Sequence, residues 1–297
     1  MNIMKLQIVV LIEKYKKVTD VAAELGVKQP TVSFHMKNLE NELGTSLFQY
    51  RSGRVLLTDA GRALHQYAVK IVALAAEAER SVKQLSSPAQ GQLELEAGFV
   101  PGTYFLPKIL SLFMKLHPGI DVQLSVQPDA VLRERLRSRE SQLAVLHNID
   151  GTDESFTYQQ IGEDEMVLIF APGHHFEGVR GLTPEQLARE PWIQHSAGSS
   201  LRGAADSWAQ LNHVRLWNRA ELSSPEAVKR MIGEGGYVGL FSKAGIEQEV
   251  IQGLLCYASL PGHLPERSGF VLAWRKDYTL SPVQESFAEL LTESAYL

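Results

Sequence analysis

Apolar residues recur at helical spacing through the first sixty positions. Met4, Leu6, Ile8, Val9, Leu11 and Ile12 crowd a segment followed by Lys14, Lys16 and Lys17, which predicts a first helix with a cationic C-terminal turn. Val21, Ala22 and Leu25, with Thr19 or Asp20 as cap, predict a short second helix that stops at Gly26. Val32, Met36, Leu39 and Leu43, at spacings of four, three and four, predict a third helix from about Gln29 to Leu43 that buries these four residues. Pro30 falls in its first turn, where the missing N–H costs nothing. Leu47 and Phe48, then Tyr50 through Leu57, predict two short strands around a basic turn.

The pattern then lengthens. Thr58 can cap a helix with Asp59 in its first turn, and no proline interrupts it before Pro88. Ala60, Leu64, Tyr67, Ile71, Leu74, Ala78, Ser81 and Leu85 alternate at four and three, the seam of helices that pack lengthwise. Leu64, Tyr67, Ile71, Leu74 and Leu85 are the candidate dimerisation residues, the alternative being a helix that lies on its own domain. Ser86 to Gly91 reads as a hinge.

From Gln92 strands alternate with helices. Predicted strands begin at Leu93, Asp121, Leu143, Met166, Trp192, Tyr237, Leu254 and Gly269. Predicted helices run over 104–117 and 130–138, from Pro184, after Gly198, over 225–232 and over 282–292. Such alternation predicts an α/β domain with a largely parallel sheet, arranged as two lobes.

Composition narrows the class. Hydrophobic residues at 44% and charged residues at 21% suit an ordinary globular chain. No run approaches the roughly 18 apolar residues that span a bilayer, and no secretory leader is recognisable, so no membrane partner and a cytoplasmic location are expected. Cys256 is the single cysteine, which excludes an intramolecular disulfide and a cysteine-based metal cluster. The net charge of -5 is unevenly spread: residues 1–62 carry nine Lys and Arg against six Asp and Glu, and the rest is acidic. The basic end is where a phosphate backbone would bind.

A short helix, a glycine and a polar-started helix form the helix-turn-helix pattern. Lys28, Gln29, Pro30, Thr31, Ser33, Phe34 and Lys37 occupy the start and outer face of the third helix. There amides and hydroxyls reach bases or phosphates, lysine meets phosphate, and an aromatic meets thymine methyls. Arg51 and Arg54 in the wing are placed to touch the backbone or enter a minor groove.

The run from Val21 through Gly61 resembles the LysR-type transcriptional regulators, through Ala22, Ala23, Leu25, Gln29, Pro30, Val32, Ser33, Leu39, Glu40, Leu43, Gly44, Leu47, Phe48, Leu57, Thr58, Ala60 and Gly61. Phe34 stands where the family often has arginine, and Tyr50 and Gly53 replace usual wing arginines. The resemblance implies an α+β chain: a winged helix-turn-helix over 1–58, a linker and dimerisation helix over 59–87, and a two-lobe α/β effector-binding domain over 88–297 of periplasmic-binding-protein type. Lobe 1 would take 92–162 and 266–297, and lobe 2 163–265. Its implied partners are double-stranded DNA with a pseudo-palindromic promoter site, a small anionic effector, further copies of itself as homodimer or homotetramer, and RNA polymerase if it activates.

Ligands of open α/β sheets bind beyond strand ends, at helix N-termini. Three loops qualify, and they supply the candidate effector residues Pro101, Gly102 and Thr103; His195, Ser196, Ser199, Ser200 and Arg202; and Ser224, with His147 at a further strand end. Capping alone is the competing role for Thr103, Ser196 and Ser199. Arg202 is expected to neutralise a carboxylate, or else to pair with a surface acid. His174 and His175 are adjacent, so a helix or strand would point them apart and no metal is expected there. A solute-binding protein is opposed by the basic N-terminal domain. For an enzyme there is no glycine-rich phosphate loop, nucleophile elbow or metal quartet, so neither a catalytic residue nor a cofactor is expected.

Overall fold

The computed structural model describes residues 1–86, 91–147, 153–264 and 269–294. They fall into two compact units, an N-terminal one and a larger one that holds most of the chain from residue 91 onward. No described helix is long and apolar enough to cross a membrane.

In the N-terminal unit, α1 (Ile3–Tyr15) starts where the Asn2 side chain accepts the Lys5 N–H at 3.0 Å and stops at Lys16, whose φ is 57°. α2 (Val18–Glu24) and α3 (Gln29–Leu43) follow, with Gly26 at φ 64° between them and Gly44 at φ 66° closing α3. β1 (Phe48–Arg51) and β2 (Arg54–Leu57) pair antiparallel, Phe48 opposite Leu57, and α4 (Asp59–Ser86) runs on from them. Leu6, Val9, Ile12, Val21, Val32 and Leu39 meet in one core with the wing's Leu47, Val55 and Leu57. Leu43, expected inside, is 44% exposed, because the left-handed turn at Gly44 ends the helix before that stripe closes over the core. Glu40 accepts the Leu47 and Phe48 N–H groups at 2.8 and 3.1 Å, fixing how the wing leaves α3.

The larger unit opens with β3 (Gly91–Ala97), whose Leu93, Leu95 and Ala97 point inward between outward Gln92 and Glu94. A π-helical turn over Pro101–Phe105 precedes α5 (Leu106–Leu116), so the helix expected from Tyr104 begins as a wider turn. Then come β4 (Ile120–Val126), α6 (Asp129–Arg137), β5 (Ala144–His147) and β6 (Phe156–Glu163). The chain crosses to a second sheet with β7 (Met166–Phe170), α7 (Pro184–Arg189), β8 (Pro191–His195), α8 (Ser200–Leu211), β9 (Trp217–Leu222), α9 (Pro225–Gly233), β10 (Val238–Ser242), α10 (Glu247–Ile251) and β11 (Cys256–Ser259). It returns through β12 (Gly269–Arg275) and ends with α11 (Pro282–Ser294).

The sheet orders are β4-β3-β5-β12-β6 and β11-β7-β10-β8-β9. Both are mixed, which corrects the largely parallel expectation. Pairs around β3 and β8 are parallel, whereas β12 runs antiparallel to β5 and β6, and β7 antiparallel to β10 and β11. In each sheet the exception is the strand at a crossing between lobes: β7, where the chain enters the second sheet, lies between β11 and β10, and β12, where it returns, lies between β5 and β6. β6 and β9, absent from the predicted strands, are sheet edges with one polar side.

Gly61 sits in the first turns of α4 against the wing, and a Cβ there would press into the Leu47 carbonyl oxygen, which is backbone and cannot swing aside. Gly61→Ala is expected to destabilise the N-terminal unit by about 1–3 kcal/mol. Urea denaturation of the full chain, with α-helical ellipticity as the signal, checks this; an unchanged midpoint would refute the tight seat of α4.

Candidate nucleic-acid interface and inter-lobe site

α3 divides into two faces. Val32, Met36 and Leu39 are buried, while Gln29, Pro30, Thr31, Ser33, Phe34 and Lys37 are exposed, with Lys28 exposed at the N-cap. No side chain caps the helix start; Pro30 has no N–H and the Thr31 N–H donates to the Lys28 carbonyl at 2.9 Å. Phe34 is 63% exposed, an uncovered aromatic among polar groups. In the wing, Ser52 and Gly53 both adopt positive φ, 48° and 75°, giving the tight turn that sets Arg51 directly opposite Arg54, both exposed. The structure thus brings all nine sequence-derived DNA candidates to the surface of one unit, on α3 with its cap and on the β1–β2 hairpin.

Along α4, Tyr67, Ile71 and Leu74 are 66%, 37% and 50% exposed and form an apolar stripe. Leu64 departs from that stripe, packing with Ala60 and Val72 against the core of its own unit. The side chain of Leu85 and residues 87–90 of the expected hinge lie outside the described residues.

In the larger unit, polar groups from both sheets converge where the lobes meet. Tyr104, from the π-helical turn of the first lobe, donates its hydroxyl to Glu226 in the first turn of α9 in the second. Glu226 in turn lies 3.0 Å from Lys229, whose buried ammonium also holds Glu249, donates to the Gly245 carbonyl at 3.0 Å and sits 4.6 Å from the centre of the Tyr104 ring. Burial and the neighbouring carboxylate push the Tyr104 phenol upward, so it stays a donor. Close by, Asp129 in the first turn of α6 is 8% exposed beside Gly98, His147 and, from the second lobe, Ser200. A Cβ on Gly98 would collide with the Asp129 carboxylate. Neither Asp129 oxygen closes a hydrogen bond of good geometry, and desolvation raises its pKa to about 6. His147 Nε2 lies 3.1 Å from Asp164 Oδ2, at the crossing between β6 and β7.

The other effector candidates are placed less simply. Thr103 is exposed, but Pro101 and Gly102 are buried, and Gly102 packs so tightly on Val126 and Ala97 that its role is steric. Ser199 and Ser224 cap α8 and α9, accepting the Arg202 and Ala227 N–H groups at 3.2 and 3.4 Å. Ser196 is half-buried between these helix starts. His195 is a core residue rather than a wall of the site: its Nε2 faces the Leu240 carbonyl at 3.2 Å, its ring packs on Phe241, and desolvation lowers its pKa to about 4. Arg202 is already neutralised, donating to both Asp206 oxygens at 3.0 and 2.9 Å and to Glu221 at 3.0 Å, which corrects its expected role as an open carboxylate receptor. His174 and His175 also differ from expectation, since they lie in a turn and their rings stack at 4.4 Å.

Asp129, Lys229, Glu226 and Tyr104 escaped the sequence reading. The signal was present in periodicity: Asp129 precedes Leu132 and Leu136 by three and seven, and Lys229 lies between Pro225 and Ile232 on the buried side of α9. A cavity of about 680 Å³ lined by Asp206, Arg215 and Trp217 lies at the far end of α8 from Ser200.

Residues 3–62 match the family described as bacterial regulatory helix-turn-helix protein, lysR family, and residues 86–295 match the LysR substrate binding domain. The chain is 26% identical over 298 residues to the RuBisCO operon transcriptional regulator of Allochromatium vinosum, covering 99% of this chain and 96% of that one. It resembles the CcmR regulatory domain of Synechocystis PCC6803, solved in complex with 2-PG, with a TM-score of 0.64 and 25% identity over 69% of this chain and 98% of that one. Full-length CbnR, solved with its target DNA, shares the fold at a TM-score of 0.69 and 18% identity, over 99% of this chain and 100% of that one.

Asp129 and His195 oppose each other in acid. Asp129 is easier to protonate folded than unfolded, so its contribution is full below its ordinary pKa of 3.8 and is lost as pH rises through about 6. His195 prefers to be neutral when folded, so its contribution is present above 6.5 and is lost as pH falls toward about 4. Asp129→Asn is expected to stabilise the chain at pH 7, by up to about 3 kcal/mol, and to steepen the loss of stability on acidification. Thermal melts of both proteins between pH 4 and pH 7 read the difference; parallel curves would show that Asp129 is not desolvated.

Proposed function

The chain belongs to the LysR family of bacterial regulatory helix-turn-helix proteins, and on that premise we propose how this regulator reads DNA and receives its signal. α3 enters a major groove with Lys28, Gln29, Thr31, Ser33, Phe34 and Lys37 toward bases and phosphates, Pro30 shaping its first turn, while Arg51 and Arg54 hold the flanking backbone. The observation that carries this reading is the split of α3 into a buried apolar stripe and a bare polar face. Tyr67, Ile71 and Leu74 join two copies as a homodimer, or as the dimers of a homotetramer, so that two α3 helices meet a pseudo-palindromic promoter. It acts in the cytoplasm, where that DNA is, and contacts RNA polymerase if it activates. The chain catalyses nothing in this reading, in keeping with relatives that are regulators.

A small anionic effector binds between the lobes and shifts their angle, biasing the DNA-binding state. Thr103, Ser196 and Ser200 offer hydroxyls there, and Asp129 offers a proton: an anion beside it favours the protonated carboxyl, which then donates instead of repelling. 2-PG, the ligand of CcmR, is the first probe to try.

Ser33→Ala is expected to cost about 1 kcal/mol of operator binding. Lys37→Ala should weaken all sequences alike and flatten the salt dependence by about one counterion. Gel shifts at several salt concentrations decide; unchanged affinity in both variants would reject α3 as the reading helix. For the signal, calorimetric titration of 2-PG and related small phosphates and carboxylates should reveal saturable binding by at least one, weakened in Ser200→Ala and tighter at about pH 6 than at about pH 8, since the complex takes up a proton. Saturation by none of them would remove the effector assignment.

A further inference from the structure

Between β7 and α7 the chain makes a tight turn that the regulator's DNA and effector chemistry leaves unused. Gly173, at φ 80°, lets it reverse, and its N–H donates to Glu177 at 2.7 Å. The His174 N–H reaches the Ala171 carbonyl at 3.2 Å, and the Glu177 N–H reaches the His174 carbonyl at 2.8 Å. Phe170 and Phe176 pack against the His174 ring at 5.2 and 4.9 Å. That ring therefore has a fixed direction, and it faces Glu190, the residue that ends α7 immediately before β8. Glu190 is held by its own N–H to the Leu187 carbonyl, which also accepts the Trp192 indole N–H at 2.8 Å.

Glu190 lies 3.7 Å from His174 Nε2 and 3.2 Å from His175 Nε2. One donor from each of the three residues falls within 4.8 Å of the others, the one such convergence of three metal-type side chains among the described residues. Nitrogens and a carboxylate oxygen bound to one zinc ion, each at about 2.0–2.2 Å, stand roughly 3.3 Å apart. Little movement is needed, and His175, 64% exposed, is free to make it. Two imidazoles and a carboxylate suit a borderline divalent transition ion and disfavour magnesium or calcium, which take oxygen ligands.

We propose that His174, His175 and Glu190 form a binding site for a divalent transition ion of the zinc class, which ties the turn after β7 to the residue just before β8. That strand's other end carries the loop over 196–199 beside the inter-lobe site, so the ion would fasten the strand that positions it. One hydrogen bond must change on loading. His174 Nδ1 accepts the Phe176 N–H at 3.2 Å, which leaves the ring proton on Nε2. When the metal takes Nε2, the proton moves through solvent to Nδ1, and the Phe176 bond opens.

Chelator-treated full-length protein titrated with Zn²⁺ in a calorimeter is expected to show one site per chain, and magnesium none. Glu190→Gln and His175→Ala should each weaken that site at least tenfold, and Zn²⁺ should raise the melting temperature of the parent chain alone. Phe176 is distinguished by its amide resonance, expected to shift on loading in the parent and not in the variants. Equal Zn²⁺ affinity in parent and both variants, or an unmoved Phe176 amide at saturation, overturns the site. Operator binding, measured alongside, is independent of this result.

Discussion

A buried ammonium is tolerated only where its lost hydration is replaced in full, and Lys229, 4% exposed, imposes that condition on the larger unit. Its replacement shell is drawn from α9, from the Gly245 turn and from α10, and it extends through Glu226 to Tyr104 in the other lobe. The two sheets are therefore linked by a network in which each member satisfies another's charge or hydrogen-bonding demand, and one member belongs to the opposite lobe. Such networks favour discrete arrangements over a continuum, since a half-broken one strands a charge in a dry place.

The same condition shapes what the junction can bind. Two of its cations are occupied, Lys229 by Glu226 and Glu249 and Arg202 by Asp206 and Glu221, while the Arg133 charge acts on Asp129. In the reading proposed above, hydroxyls and a carboxyl that can be protonated are then the groups left to meet an anion beside these pairs. Neutral donors discriminate by geometry more than by charge.

The N-terminal unit was legible because its signals are local. Gly26 and Gly44 mark turns that need positive φ, Val32, Met36 and Leu39 mark one helical stripe, and Arg51 to Arg54 mark a hairpin turn. Leu43 misled because periodicity cannot say where a helix outruns its core. In the larger unit the strands with buried faces, such as β7 and β10, announced themselves, whereas edge strands β6 and β9 carry too many polar residues to do so. Sheet direction was hidden because it depends on where β7 and β12 insert between strands distant in sequence, a property of topology and not of any segment. Ser200 and Arg202 stood out in the sequence but their partners did not, for a similar reason: Asp129 and Ser200 are far apart in sequence, and Arg202 meets Glu221 through a fold that places β9 beside β8. His174 and His175 defeated a rule that holds for helices and strands but not for turns.

Gly98 carries a consequence for how such a regulator could change its signal over time. The Asp129 carboxylate occupies the volume that any side chain at position 98 would need. A hydroxyl installed there, the simplest way to add a ligand contact at the end of β3, is blocked until position 129 has shortened. Shortening 129 opens that space and relieves desolvation, but it removes the carboxyl that the anion reading uses. Positions 98 and 129 are thus coupled, and a side chain gained at the end of β3 changes what the carboxyl at 129 can do.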